Sequence, residues 1–352
     1  MEDSKERRYA RQIQFAPIGQ AGQQRIGESS VAVLGCGALG TVASEILARA
    51  GVGRLRLVDR DIVEWTNLQR QSLFDEADAL HGIAKAEAAA ERLTSINGSI
   101  EIEPVVVDLT ADNIDPVLKG SDLVIDAADN FAIRFLLNDW SLQTQTAWVH
   151  GGCVGAGGQV RLFRGDGSPC FRCLVPNPPA AASVATCDTA GVIGAATHAI
   201  ASLQAMEALK WLSGNRDAVH EKVWSIDFWQ NRFRELSIAP ELSQDCRACG
   251  ERQFDFLNGA TSTAGSTVVL CGRRAVQITP ASKSVVPLKQ VAQRWQSEGE
   301  VRVNRFFVRL NTAADSSASE IRLTLFADGR AVIEGTDQPS LARSLYDRYV
   351  GS

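Results

Sequence analysis

Ser30-Val31-Ala32-Val33-Leu34-Gly35-Cys36-Gly37-Ala38-Leu39-Gly40 decides the fold. The first five residues form an apolar, β-branched run that reads as a buried strand. The glycines then lead into residues 41–50, where Val42, Ile46, Leu47 and Ala50 recur at helical spacing. Gly51-Val52-Gly53 closes that helix and residues 55–59 read as the next strand, which completes a strand, glycine turn, helix, strand unit.

The same alternation continues downstream. A helix is expected over 85–93, strands over 101–107, 123–125, 147–150 and 159–163, and the longest helix over 192–212, with Ile200, Leu203, Met206 and Leu209 as its core stripe. Strands alternating with helices imply an α/β fold, a doubly wound, mostly parallel sheet of the Rossmann type covered on both faces. The composition shifts at the polar, glycine-containing stretch 258–266. Beyond it lie β-like runs at 267–270, 305–310 and 321–326, the last joined to 330–333 through Asp328-Gly329, and a closing helix at 340–349. Two domains are therefore expected, a nucleotide-binding domain over 1–253 and a small α+β accessory domain over 254–352.

Composition excludes several function classes. The 352 residues are 45% hydrophobic and 22% charged, an ordinary globular balance. A net charge of −5 offers no electrostatic footprint for nucleic acid or an anionic membrane. The apolar stretch 192–212 is interrupted by His198, Gln204, Glu207 and Lys210, and the first residues are charged with no apolar segment, so neither a membrane span nor a secretory leader is expected. A cytoplasmic location follows, and with it a reducing compartment in which the eight cysteines serve metal binding or catalysis.

A glycine turn between strand and helix lets backbone N–H groups approach a phosphate, with an acidic residue after the second strand meeting ribose hydroxyls. Gly35, Gly37 and Gly40 supply the turn, and Asp59 follows nineteen residues after Gly40. Alone, this pattern says nucleotide, and its commonest owner is an NAD-dependent dehydrogenase. What comes next departs from one: Asp61, Asn67, Gln69 and Arg70 lie just beyond the strand's carboxyl end, Lys85 opens the next helix, and Asp129 follows a later strand. Cationic and amide groups with one carboxylate suit a triphosphate and its Mg²⁺ better than a nicotinamide. Each charge taken singly would read as a solvated surface residue.

Cys170-Phe-Arg-Cys173 and Cys246-Arg-Ala-Cys249 are two C-x₂-C pairs separated by 72 residues, a spacing that suits a closed tetrahedral Zn²⁺ site. A redox dithiol or buried cysteine pairs are the alternatives. Cys187 stands just before the long helix, whose dipole would favour its thiolate while Asp188 opposes it. Cys36, Cys153 and Cys271 read as small buried apolar residues.

Arg8-Tyr9-Ala10-Arg11-Gln12, the glycine turn, Asn67-Leu68-Gln69-Arg70-Gln71, Lys85, residues 126–130 and the cysteine pairs together resemble the ThiF/MoeB/HesA family, relatives of the ubiquitin-activating enzymes. His150-Gly-Gly-Cys-Val-Gly and Cys187-Asp-Thr-Ala-Gly resemble its ThiF branch more than MoeB. The resemblance implies attack by the C-terminal glycine carboxylate of a ubiquitin-like sulfur carrier, ending in Gly-Gly, on the α-phosphorus of ATP. Its implied nucleotide-binding set is Gly35, Gly37, Ala38, Gly40, Asp59, Asp61, Asn67, Gln69, Arg70, Lys85, Asp129 and Asn130. Ala38 replaces a frequent family glycine. Asp129 would hold Mg²⁺, and the implied catalytic residues are Arg70, Lys85, Asp129, Cys187 as a covalent acceptor, and Arg11 reaching across a homodimer. A ThiS-like carrier in thiamin biosynthesis is preferred over a MoaD-like one in molybdopterin biosynthesis, with a sulfurtransferase as a further partner. A loop cysteine without chemistry at 187 and a non-catalytic carrier-binding protein are the plainer readings. Residues 254–352 lack the reactive-cysteine loop of a fused rhodanese domain, so they would dock the carrier or support the dimer.

Overall fold

The computed structural model describes residues 2–167, 169–179, 190–259, 267–270, 274–280, 285–312 and 321–351. The chain forms two compact units, Met1–Thr261 and Ser262–Ser352. In the first, α1 (Glu2–Ile13) and α2 (Gly19–Glu28) precede β1 (Ser30–Leu34), α3 (Ala38–Ala50) and β2 (Arg54–Val58). Then follow α4 (Glu76–His81), α5 (Lys85–Ile96), β3 (Glu101–Val105), α6 (Ile114–Leu118), β4 (Leu123–Asp126) and α7 (Phe131–Thr144). β5 (Ala147–Val154), β6 (Gly157–Phe163), α8 (Phe171–Leu174), α9 (Gly194–Leu212), β7 (Val223–Asp227) and β8 (Arg232–Leu236) complete it.

These strands make one eight-stranded sheet in the order β3-β2-β1-β4-β5-β6-β7-β8. The first five pair in parallel, and β5 through β8 pair antiparallel. Because side chains alternate along β1, Val31 and Val33 enter one core with Leu47, Leu57 and Ile200, while Ala32 and Leu34 enter the other with Phe135, Trp148 and Phe171. Two apolar layers around one sheet are the doubly wound architecture expected from the alternating pattern.

The glycine turn is sterically determined. Gly35 adopts φ +89° and donates its N–H to Val58 O at 2.8 Å, and a Cβ on Gly40 would fall on the Gly35 carbonyl oxygen. At the other end of α3, Gly51 caps the helix at φ +85°, and the Tyr9 ring of α1 occupies the space where a Gly51 side chain would stand. The Tyr9 hydroxyl accepts a hydrogen bond from Asn97 Nδ2 at 2.9 Å.

One packing expectation is corrected. Ile200 is fully buried, but Met206 is 53% exposed; the buried face of α9 is instead Ala196, Ile200, Ala201, Gln204, Ala205, Ala208 and Leu212. Small side chains let α9 approach the sheet and α3 closely, which rotates the larger Met206 outward. At the far end of the unit Phe256 packs at a tilt against Phe135 with centroids 4.7 Å apart, and its N–H bonds Asp139 Oδ2, so residues 254–257 pack with the first unit.

The second unit is a six-stranded antiparallel sheet of β9 (Thr267–Leu270), β10 (Ala275–Ile278), β11 (Gly299–Val303), β12 (Phe307–Thr312), β13 (Arg322–Phe326) and β14 (Ala331–Glu334), in the order β11-β12-β13-β14-β10-β9. Its core gathers Val276, Leu310, Leu325 and Ile333 with Trp295 of α10 (Leu288–Trp295) and Tyr346 of α11 (Pro339–Tyr349). The Asp328-Gly329 hairpin forms as expected: β13 and β14 pair antiparallel, with Phe326 N–H bonding Arg330 O. No helix among the described residues is long and apolar enough to cross a membrane.

Candidate functional site

The carboxyl ends of β1, β2 and β4 carry the charge-bearing loops. Asp59, one residue past β2, accepts from the Cys36 N–H at 2.6 Å and the Asp61 N–H at 2.7 Å, which ties the glycine turn to the end of the second strand. Burial pushes the Asp59 carboxyl up; Lys85 holds it down and Asp61 pushes it up further. Lys85 is buried at the start of α5, with Nζ 3.4 Å from Asp61 Oδ2 and its backbone N–H bonded to Asp61 O at 2.9 Å. Burial also lifts the Cys36 thiol well above its usual range, so this side chain is a neutral space-filler in the turn.

Asn67 and Arg70 sit on a separate loop whose 3₁₀ turn, Trp65–Asn67, is closed by a reciprocal cap between Glu64 and Asn67. Asn67 is buried, with Oδ1 accepting the Glu64 N–H at 3.0 Å, and Arg70 Nη1 bonds Thr66 O at 2.7 Å. The backbone of Gln69 and Arg70 lies against Gly194, the first residue of α9. Asp129 stands exposed after β4, with Oδ1 accepting from Asn130 Nδ2 at 3.2 Å. Asn130 itself caps α7, its Oδ1 accepting the Ile133 N–H. Arg11 is exposed on α1 and bonds Gln14 Oε1. Gln69 is exposed and, among the described residues, makes no side-chain bond that places it at the turn. Cys187 and Cys271 lie outside the described residues.

Three groups to which the sequence reading assigned no role belong to this edge. Arg60 pairs with Asp108 at 3.0 Å. Its burial would lower the guanidinium, but Asp108, Asp61 and Asp129 more than compensate and raise it. Gln71 is 4% exposed, faces Gly37, and its Oε1 has no hydrogen-bond partner among the described residues. The fully buried Asp126 at the end of β4 takes His150 Nδ1 at 2.8 Å and Arg134 Nε at 3.2 Å on one oxygen. Burial lowers His150, with Asp126 pulling the other way and Arg134 reinforcing burial. The adjacent Asp59-Arg60-Asp61 was the available signal for Arg60; its partner Asp108 was too distant in sequence to suggest the pair.

The four cysteines converge on the opposite core layer. Their sulfurs lie within 4.8 Å of one another, with Cys170 Sγ 3.7 Å from Cys246 Sγ and Cys173 Sγ 3.4 Å from Cys249 Sγ. Three are buried and Cys249 is partly so. Hydrogen bonds among the thiols raise Cys170 and lower Cys173, as expected of sulfurs crowded into one cluster. The mutual distances fit four ligands around one tetrahedral ion, since zinc–sulfur bonds of about 2.3 Å place sulfurs just under 4 Å apart.

A parallel-sheet edge with a glycine turn at a helix N-terminus and converging cations defines a nucleotide-binding α/β protein. The ThiF family model matches residues 9–248, and the chain belongs to that family. It is 37% identical over 345 residues to the sulfur carrier protein ThiS adenylyltransferase of Bacillus subtilis (strain 168), spanning 98% of this chain and 99% of that one. It is 40% identical over 244 residues, 69% of its length, to adenylyltransferase and sulfurtransferase MOCS3 of Aedes aegypti, and spans about half (55%) of that longer relative. Among solved structures it resembles E. coli MccB with a TM-score of 0.61 at 22% identity, covering 70% of this chain and 72% of that one, a likeness of fold.

Proposed function

We propose that this protein is an ATP-dependent adenylyltransferase that activates the C-terminal glycine carboxylate of a ubiquitin-like, ThiS-type sulfur carrier for thiamin biosynthesis. The match to the B. subtilis ThiS adenylyltransferase over 98% of this chain and 99% of that protein carries the reading, because both units align and not the nucleotide fold alone. The 40% identity to MOCS3 makes a MoaD-type carrier the second reading.

The edge geometry supports this chemistry. Asp59, tied to the glycine turn through the Cys36 N–H, would hold the ribose, and the amides opening α3 would meet the phosphates. Arg70, Lys85 and Arg60 supply positive charge, with Asn67, Gln69 and Asn130 on the flanking loops. The carrier's terminal carboxylate oxygen attacks the α-phosphorus; the bond from that phosphorus to the α,β-bridging oxygen breaks, and pyrophosphate leaves with the electron pair. A carboxylate is already ionised near neutral pH, so no general base is needed. The barrier is the approach of one anion to another, so catalysis rests on charge neutralisation and in-line positioning. Asp61 and Asp108 hold Lys85 and Arg60 in place beforehand. Mg²⁺, held by Asp129, would add neutralising charge on the phosphates.

Cys170, Cys173, Cys246 and Cys249 would hold Zn²⁺ in a closed structural site. Arg11 reaches the site of a second copy in a homodimer, Cys187 serves as the carrier's covalent acceptor, and a sulfurtransferase supplies sulfur in the cytoplasm. The test mixes the protein with candidate carriers, ATP and Mg²⁺ and follows carrier mass. An AMP adduct on a ThiS-type carrier is expected, an adduct confined to a MoaD-type carrier favours the second reading, and NAD binding without any adduct overturns both.

A further inference from the structure

Arg161 is a buried cation that the adenylation chemistry does not use. It is 6% exposed, and its Nε and Nη1 have no hydrogen-bond partner among the described residues. On β6 it stands directly opposite His150 of β5, so the two side chains share one face of the sheet. Two residues on, Phe163 shares that face, and the Arg161 guanidinium lies 5.2 Å from its ring centroid. The rings of His150 and Phe163 in turn contact Phe171, the residue after Cys170, at 5.3 and 6.0 Å. This is the core layer that contains Cys170, Cys173 and Cys246.

A guanidinium in such a layer needs a negative partner, because an uncompensated buried charge is strongly destabilising. Asp126 is occupied by Arg134 and His150. Glu221 is 81% exposed and pairs with Arg164, so water screens it. A divalent ion bound at Cys170, Cys173, Cys246 and Cys249 would turn these thiols into thiolates, three of them buried in the same layer beyond the Phe163 and Phe171 rings, and so supply negative charge to Arg161. Four thiolates around one divalent ion carry a net charge of −2 inside the same layer.

We propose that Arg161 is the buried counter-cation of the four-thiolate centre, a positioning residue that sets how tightly the metal is held. The proposal rests on the zinc reading above. Half of the dianion's charge is balanced from β6, so the sheet and the metal staple stabilise each other electrostatically as well as through the aromatic contacts.

The test uses the full chain, its zinc content measured by elemental mass spectrometry, then titrated with a chromogenic chelator. Arg161→Met and Arg161→Gln are expected to release zinc at about 10- to 100-fold lower chelator concentration, and Arg161→Lys, which keeps the charge, to stay within about threefold of the parent. Loss with both neutral residues and rescue by lysine separates charge from packing, and the glutamine variant decides should the methionine variant fail to fold. Neutral variants that retain zinc like the parent overturn the proposal while leaving the zinc reading intact. A parent chain that neither carries nor takes up zinc overturns both.

Discussion

At the carboxyl edge of the sheet Arg60 and Asp61 keep 34% and 29% of their side chains exposed, and Asp129 is open to solvent, whereas three of the four clustered thiols are buried. Both regions gather charge-bearing groups within one unit. At the edge each cation has a partial, replaceable partner: Asp61 for Lys85, Asp108 for Arg60, the Thr66 carbonyl for Arg70. In the thiol cluster the four sulfurs lie within 4.8 Å of one another. The edge keeps Arg60, Asp61 and Asp129 partly or fully open to water while Lys85 is buried behind Asp61, whereas the thiols that only hold the fold together gather on one another.

Removing one thiol probes the closed region most severely. Cys246→Ser is expected to cost more than about 4 kcal/mol of stability in urea unfolding, with zinc content falling in parallel. A variant as stable as the parent would break the contrast. At the open edge the loss belongs in the rate: Arg70→Ala or Asp129→Ala should slow carrier-dependent pyrophosphate exchange by about 100- to 1,000-fold, or about 2.7–4 kcal/mol of barrier, while the urea midpoint holds. Near-normal exchange in either variant would remove the edge from the chemistry.

Asp139 sharpens the comparison because it is a carboxyl inside the closed layer. Burial pushes it up to about 6, against hydrogen bonds from the Phe256 and Leu257 N–H groups and the charge of Arg172. Since the folded state binds its proton more tightly than the unfolded chain, its contribution to stability is full below about pH 4 and is lost as pH rises through 6. Asp139→Asn keeps an acceptor for Phe256 and should be more stable than the parent above pH 6 by up to about 3 kcal/mol, with the gap closing toward pH 4. Parallel pH curves for the two proteins would show that Asp139 does not titrate in this window. The smallest effect is expected at Asn130: alanine should cost about 1 kcal/mol through loss of the α7 cap and serine should restore it, as read from thermal unfolding.

The first β-α-β unit was legible because its determinants are local. Gly35, Gly40 and Gly51 act on neighbours within one turn or strand, and the cysteine pairs announce themselves by spacing. β8 was hidden because all five of its residues are exposed, so no alternation marks it. α7 was hidden for the converse reason: Arg134, Asn138 and Asp139 are buried on it, each bonded to a distant element, and a helix with polar residues inside shows no apolar stripe. Asp59, Asp61 and Lys85 could be named from sequence and do meet through Asp61, but Arg60–Asp108 and Asp126–His150 join segments that only the fold brings together.

Gly51 shows how much one missing side chain can govern. Its left-handed turn ends α3, sends the chain into β2 and on to Asp59 just beyond it, and leaves the recess into which Tyr9 settles. The helix bearing Arg11 is thereby bolted down two residues ahead of that arginine, so the guanidinium is offered outward from a stiff bracket. Any methyl group at position 51 would unseat that bracket and misdirect the path to Asp59 together, two faults that an assay of either one alone would mistake for separate defects.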